Sequence, residues 1–158
     1  MLDAALRPDH AWIAAHIPHQ GRMCLLDRVL AWDAQRILCA ATSHRGPDNP
    51  LRDDQGRLGA ANAIEYAAQA MAVHGVLLAG SGQPLGVGYL ASVRGVRLHV
   101  GRLDDVAGEL HVEATRLSGD DALILYQFAV SAGRRCLAEG RASVVLDDHL
   151  DQVRDARW

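Results

Sequence analysis

His44 and Glu65 are the two residues of this chain whose types and setting could carry a reaction together. His44 follows a strand-like run, and Glu65 lies in the alanine-rich stretch Ile64-Glu65-Tyr66-Ala67-Ala68-Gln69-Ala70. A carboxylate on an apolar helix is costly unless it has a partner or a task. A neutral imidazole can take a proton from carbon, because its ordinary pKa lies near neutrality. A carboxyl whose pKa is raised by burial can hand a proton to a leaving oxygen. The pair therefore suits general acid–base chemistry. Gln69 sits one turn beyond Glu65 on the same face, where it could orient the carboxyl or a departing water.

These groups need a scaffold, and the patterning supplies one. Asp9 is placed to cap a short helix over His10 to His16, which Pro18 stops. Met23 to Trp32 reads as a strand, Asp33-Ala34-Gln35 as a turn, and Arg36 to Thr42 as a returning strand. His44 to Leu58 is rich in Gly, Pro, Asp and Asn and reads as loop. Ala60 to Ala79 is the one long helical pattern, with Ile64, Ala68, Met71, Gly75 and Leu78 as its expected buried stripe. Its other faces are apolar too, so it should be central and wrapped. Four strands follow, over Val87 to Val100, Gly108 to Leu117, Ala122 to Ser131 and Arg135 to Leu146. The second and last alternate apolar with polar residues, as half-buried antiparallel strands do. The expectation is one α+β domain over residues 1–158. An N-terminal helix lies within 1–16, an antiparallel sheet of about six strands curls round one helix, and a charged tail covers 147–158. Sheet edges are left for pairing between subunits.

Composition narrows the functions. A chain of 158 residues with 49% apolar and 22% charged residues has the make-up of one globular domain rather than of a disordered one. A net charge of -3 gives no reason to expect nucleic acid. No apolar run is long enough to cross a bilayer, and the start lacks the basic and apolar regions of a signal peptide. Cys24, Cys39 and Cys136 are odd in number and set in apolar runs, which reads as reduced thiols in a cytoplasmic protein. His10, His16 and His19 lack the helical spacing seen in many zinc sites, so no metal is expected. His19, in Pro18-His19-Gln20-Gly21, reads as closing the turn before the first strand, and His74 as a core histidine. All 16 basic residues are arginine, a side chain suited to phosphate and carboxylate partners.

Three segments carry a resemblance. The run Ile17-Pro18-His19-Gln20-Gly21-Arg22-Met23-Cys24-Leu25-Leu26-Asp27-Arg28-Val29 resembles the N-terminal motif of the 3-hydroxyacyl-[acyl-carrier-protein] dehydratases of the hotdog fold. Glu65-Tyr66-Ala67-Ala68-Gln69-Ala70-Met71-Ala72 is similar to that family's central helix. Arg97-Leu98, followed by Gly108-Glu109-Leu110, looks like its third strand and the turn after it. The likeness spans about Ile17 to Leu146 and is nearest to the divergent dehydratases of aryl-polyene and related polyketide-type pathways. It departs from the better-known members at Arg45-Gly46-Pro47 after His44, and at Gly59-Ala60 before the helix, where a Pro-Gly pair would stand.

The resemblance implies a hotdog fold and loss of water from a 3-hydroxyacyl thioester, with an acyl carrier protein as partner. It carries the catalytic histidine onto His44 and the acid onto Glu65, brought together from two subunits of a dimer. Backbone N–H groups at the helix start, around Ala60 and Ala61, are the expected oxyanion donors. Arg94, Arg97 and Arg102 are candidates to meet the phosphopantetheine phosphate or the acidic carrier. The chemistry requires no cofactor. A hotdog thioesterase, and a non-catalytic hotdog partner of an active subunit in a heteromer, are the competing readings. Presence of both His44 and Glu65 favours elimination over hydrolysis.

Overall fold

The computed structural model describes residues 6–80, 88–120 and 122–146, and the tail 147–158 lies outside them. Asp9 caps the first helix, α1 (His10–His16), its carboxylate accepting from the Trp12 amide at 2.9 Å. A 3-10 turn over Gly21–Met23 follows, with Gly21 at φ 59°, a backbone conformation that disfavours other side chains. The strand expected from Met23 begins later, as β1 (Arg28–Trp32), because residues 21–23 are held in that turn. β2 (Arg36–Ala41) returns antiparallel to it. The Asp33 carboxylate closes this hairpin by accepting from the Gln35 and Arg36 amides, both at 2.8 Å.

The expected helix divides into a 3-10 turn at Ala60–Asn62 and α2 (Ala63–Ala79), which ends at Gly80 with φ 73°. β3 (Gly88–Leu98), β4 (Leu110–Gly119), β5 (Leu123–Ala132) and β6 (Arg135–Leu146) complete a six-stranded antiparallel sheet in the order β1-β2-β4-β5-β6-β3. The Asp120 carboxylate closes the β4–β5 hairpin as Asp33 closes the first, accepting from Ala122 and Leu123 amides. β1 and β3 form the sheet edges. The expected arrangement of six strands round one helix is the observed one.

The helix stripe is corrected by the structure. Ala63, Tyr66, Ala67, Ala70, Val73, His74 and Leu77 are buried, as is Met71, whereas Ile64, Ala68, Gly75 and Leu78 are only half-buried. Because α2 is apolar nearly all round, spacing alone does not tell which face meets the sheet. The buried face packs with Ile37, Leu110, Val112, Tyr126, Phe128 and Val130 in one core. Cys24 and Cys39 are buried free thiols, and Cys39 is pushed up to about 12 by its burial. No helix among the described residues is long and apolar enough to cross a membrane.

Candidate active site

The face of α2 that the sheet leaves half-covered carries Glu65. Its Oε1 lies 3.1 Å from Nε2 of His19, in the extended segment between α1 and the Gly21 turn. Gln69, one helical turn on, is fully buried and holds this arrangement by three hydrogen bonds. Its Nε2 donates to the Met23 carbonyl at 2.6 Å and to Glu65 Oε1 at 3.3 Å, and its Oε1 accepts from the Leu25 amide at 2.9 Å. One glutamine thus fixes the His19 segment to the helix and points the carboxylate at the imidazole.

The His19–Glu65 pair opens on a small cleft of about 170 Å³ lined by Ala68, Ala72, Leu90 and Val144. Glu65, Ala68 and Ala72 share one helix face, so two small side chains leave room for an apolar chain beside the carboxylate. His19 and Glu65 keep 25% and 32% of their side-chain surface, enough for a ligand to reach both.

The charge state of Glu65 differs from the sequence expectation. Desolvation alone would raise its pKa, as expected for a carboxyl on an apolar helix. The hydrogen bond from His19, with that from Gln69, outweighs desolvation and holds the carboxyl below its ordinary range. In the isolated chain Glu65 is a carboxylate at neutral pH.

His44 stands elsewhere. It is wholly buried, and its Nε2 lies 3.0 Å from the Val106 carbonyl. A carbonyl only accepts, so Nε2 carries the proton and Nδ1 holds the lone pair. That Nδ1 is buried without a hydrogen-bond partner, and burial lowers the pKa of the ring. The loop around it is tightly tied. Arg52 donates to the carbonyls of His44, Gly46 and Gly56. Ser43 donates to the Leu25 carbonyl, Tyr66 to the Ser43 hydroxyl, and Asn49 to the Tyr66 oxygen. Within one chain the partner of Glu65 is therefore His19, the residue that sequence reading assigned to turn closure. The available signal was its place inside the run that carries the family resemblance.

The remaining candidates separate. The Ala60 amide donates to the Gly101 carbonyl at 3.1 Å and is already committed, while Ala61 is exposed beside it. The Arg102 guanidinium is paired with Asp104, which Arg102 holds well below the usual carboxylate range. Arg97 faces Glu139 across β3 and β6, whereas Arg94 faces Arg141. His99, Cys136 and Glu139 bring ligand atoms within 4.8 Å at the far end of the same strands. There the Glu139 carboxylate already serves the other two, at 2.8 Å to the ring and 3.6 Å to the sulfur.

The model of a dehydratase family described as ApeP-like matches residues 11–155. Comparison with curated proteins gives no match. Among solved structures, the dehydratase heterocomplex ApeI:P from Xenorhabdus doucetiae is similar with a TM-score of 0.76 at 23% identity. That match covers 90% of this chain and 97% of that one. A mutant of thioesterase PA1618 from Pseudomonas aeruginosa is similar at 0.58 and 14% identity, covering 88% of this chain and 95% of that one. Thioesterase HI1161 from Haemophilus influenzae gives 0.55 at 11% identity, covering 84% and 80%. These likenesses establish the hotdog fold.

Proposed function

The chain belongs to the ApeP-like dehydratase family, and on that footing we propose that it removes water from a 3-hydroxyacyl thioester borne by an acyl carrier protein. The product is the trans-2-enoyl thioester. The observation that carries this reading is the 3.1 Å contact between His19 Nε2 and Glu65 Oε1 at the mouth of an apolar cleft.

The pair needs one transferable proton. A carboxylate only accepts, so in this contact His19 Nε2 carries the N–H and Glu65 Oε1 receives it, which places the movable proton on Nε2. The Glu65 carboxylate takes the proton from C2, and the C2–H electron pair becomes the C2=C3 double bond. The C3–O bond breaks, and the leaving hydroxyl takes the His19 proton to depart as water. A proton shift from Glu65 to His19 along their hydrogen bond restores the starting state. The thioester oxygen, which gathers charge in the transition state, is assigned to backbone N–H at the helix start. Ala61 is the better candidate there, since the Ala60 amide is occupied.

A second reading keeps His44 as the base, acting with an acid from another subunit. It is supported by the unpartnered Nδ1 of a ring whose pKa burial lowers. The half-covered face of α2, with Ile64, Ala68 and Ala72 on it, supports assembly as a homodimer or as a heteromer with another hotdog subunit.

The test is mass analysis of a 3-hydroxyacyl-carrier thioester incubated with the full chain, alone and with a co-expressed hotdog subunit. Loss of water is expected. Release of free acid would make the chain a thioesterase, and turnover only with the second subunit would make it a supporting partner. His19→Ala and Glu65→Gln should each lower kcat by roughly 10²–10⁴-fold, the usual contribution of a positioned acid or base. If His44→Gln alone does so, the second reading replaces the first.

A further inference from the structure

β6 carries one residue more than its partner strand near its start, and the surplus turns two ligand-bearing side chains to the same side. Val130 is registered with Ala138 but Ser131 with Cys136, so Leu137 is an inserted residue, a β-bulge. Leu137 and Ala138 are both fully buried, whereas Cys136 and Glu139 on either side of them are half-buried. In a regular strand residues 136 and 139 would point to opposite faces. The bulge puts them on one face. A third group comes from the end of β3. Past Leu98, the His99 amide donates to the Leu137 carbonyl at 2.8 Å, which carries the pairing one residue beyond the strand and brings the imidazole to the bulge.

The three side chains converge on one oxygen. His99 Nε2 lies 2.8 Å from Glu139 Oε2, and Cys136 Sγ lies 3.6 Å from the same atom. All three ligand atoms fall within 4.8 Å of one another, and no other such set occurs among the described residues. His99 and Glu139 are 40 positions apart, so no spacing in the sequence marks the cluster. In a nucleophilic thiol site the imidazole stands between thiol and carboxylate, where it can take the thiol proton. Here the carboxylate stands in the middle, which is the layout of ligands around a shared centre. Atoms bound to zinc at about 2.0–2.3 Å stand about 3.3–3.6 Å apart in a tetrahedron. The sulfur and the carboxylate already have that spacing, and the ring need draw back from the oxygen by only about 0.5 Å. Thiolate with imidazole and carboxylate suits zinc rather than calcium or magnesium, which take oxygen ligands. Thiolate and carboxylate together neutralise a divalent ion, so Arg97, registered opposite Glu139, faces a site without net charge. His99 and Glu139 keep 41% and 40% of their side-chain surface, which lets an ion enter and a water complete the tetrahedron. We infer that His99, Cys136 and Glu139 bind one zinc ion, which fastens the end of the edge strand β3 to the bulge of β6. None of the three lines the His19–Glu65 cleft, so the site stands independently of the dehydratase reading.

The experiment uses cobalt(II), which enters zinc sites and reports its ligands by absorption. Titrated into the full chain, reduced and freed of metal by a chelator, cobalt should give a thiolate-to-metal charge-transfer band together with the visible bands of a tetrahedral ion. Both should saturate at one equivalent, and zinc should then bleach them. Zinc binding should also release about one proton, that of the thiol, and raise the thermal midpoint. Histidines elsewhere on the surface cannot give the thiolate band, and Cys24 and Cys39 are buried. The band should disappear in Cys136→Ser. His99→Gln and Glu139→Gln should each weaken cobalt binding by at least about tenfold, since loss of a ligand costs no less than loss of the group that orients one. All three side chains are partly exposed, so in chelator the variants should unfold close to the wild type and lose only the rise with zinc. Absence of a thiolate band at one equivalent in the wild type overturns the site, whatever the variants do. So does a band that survives in folded Cys136→Ser, or cobalt affinity that neither His99→Gln nor Glu139→Gln lowers.

Discussion

Glu65 is the residue whose environment decides what it can do. Its setting on an apolar helix marked it as a carboxylate needing a partner, and the partner is His19, 46 positions earlier in the chain and in the extended stretch before the Gly21 turn. That contact was not legible, because it depends on Gln69 drawing the segment from Met23 to Leu25 onto α2. Burial alone pointed to a raised pKa, and two hydrogen bonds reversed its sign. The consequence is testable. A carboxyl lowered in the folded state stabilises the fold fully above its ordinary value of 4.5 and loses that contribution as pH falls through the lower folded value. Urea unfolding of wild type and Glu65→Gln across this acid range should show a steeper loss of stability in the wild type. Parallel curves would mean that His19 does not stabilise the charged form. Gln69→Ala should reduce kcat more than it changes KM, because it frees the carboxylate and the His19 segment without removing either reacting group.

At the scale of elements, strand and helix order was legible because period-two alternation and Asp-rich turns act locally. Asp9, Asp33 and Asp120 each close or cap an element through their own neighbours. The orientation of α2 was not legible, since alanines on every side give no preferred face. Two glycines now distinguish what packs closely from what does not. Gly75 lies inside α2, and a methyl group there meets nothing within 4 Å. Gly75→Ala should stabilise the chain by about 0.5–1 kcal/mol through helix propensity. Gly140 in β6 is the opposite case, since a Cβ would lie 3.0 Å from Phe128 Cζ and 3.1 Å from Val96 Cγ2. Gly140→Ala should cost about 1–3 kcal/mol by overpacking. Denaturant midpoints at equal m-value check both signs. A destabilised Gly75→Ala would mean that another surface already covers that face of α2.

Over the whole molecule, two buried imidazoles tie distant parts of the chain, and both make stability depend on pH near neutrality. His44 joins the loop before α2 to the Val106 carbonyl. His74, on α2, lies 2.7 Å from the Asp33 carbonyl in the first hairpin and 2.7 Å from the Tyr126 hydroxyl in β5. Because the carbonyl only accepts, His74 donates from Nε2 and accepts the Tyr126 proton at Nδ1, so the neutral ring satisfies both contacts. Sequence reading gave His74 its place in the core but not these partners, which come from elements 41 and 52 residues away. Burial lowers the pKa of both rings below the ordinary 6.5. Below that value the unfolded chain binds protons that the folded chain refuses, so stability falls as pH falls. Each ring contributes a slope of up to about 1.4 kcal/mol per pH unit until its folded pKa is reached. The thermal midpoint should therefore drop as pH is lowered from about 7 toward about 5, well above the range where Glu65 titrates. Replacing either histidine with glutamine should flatten that drop while lowering the midpoint at neutral pH. A midpoint constant over this range in the wild type would mean that the rings bind a proton without leaving their sites.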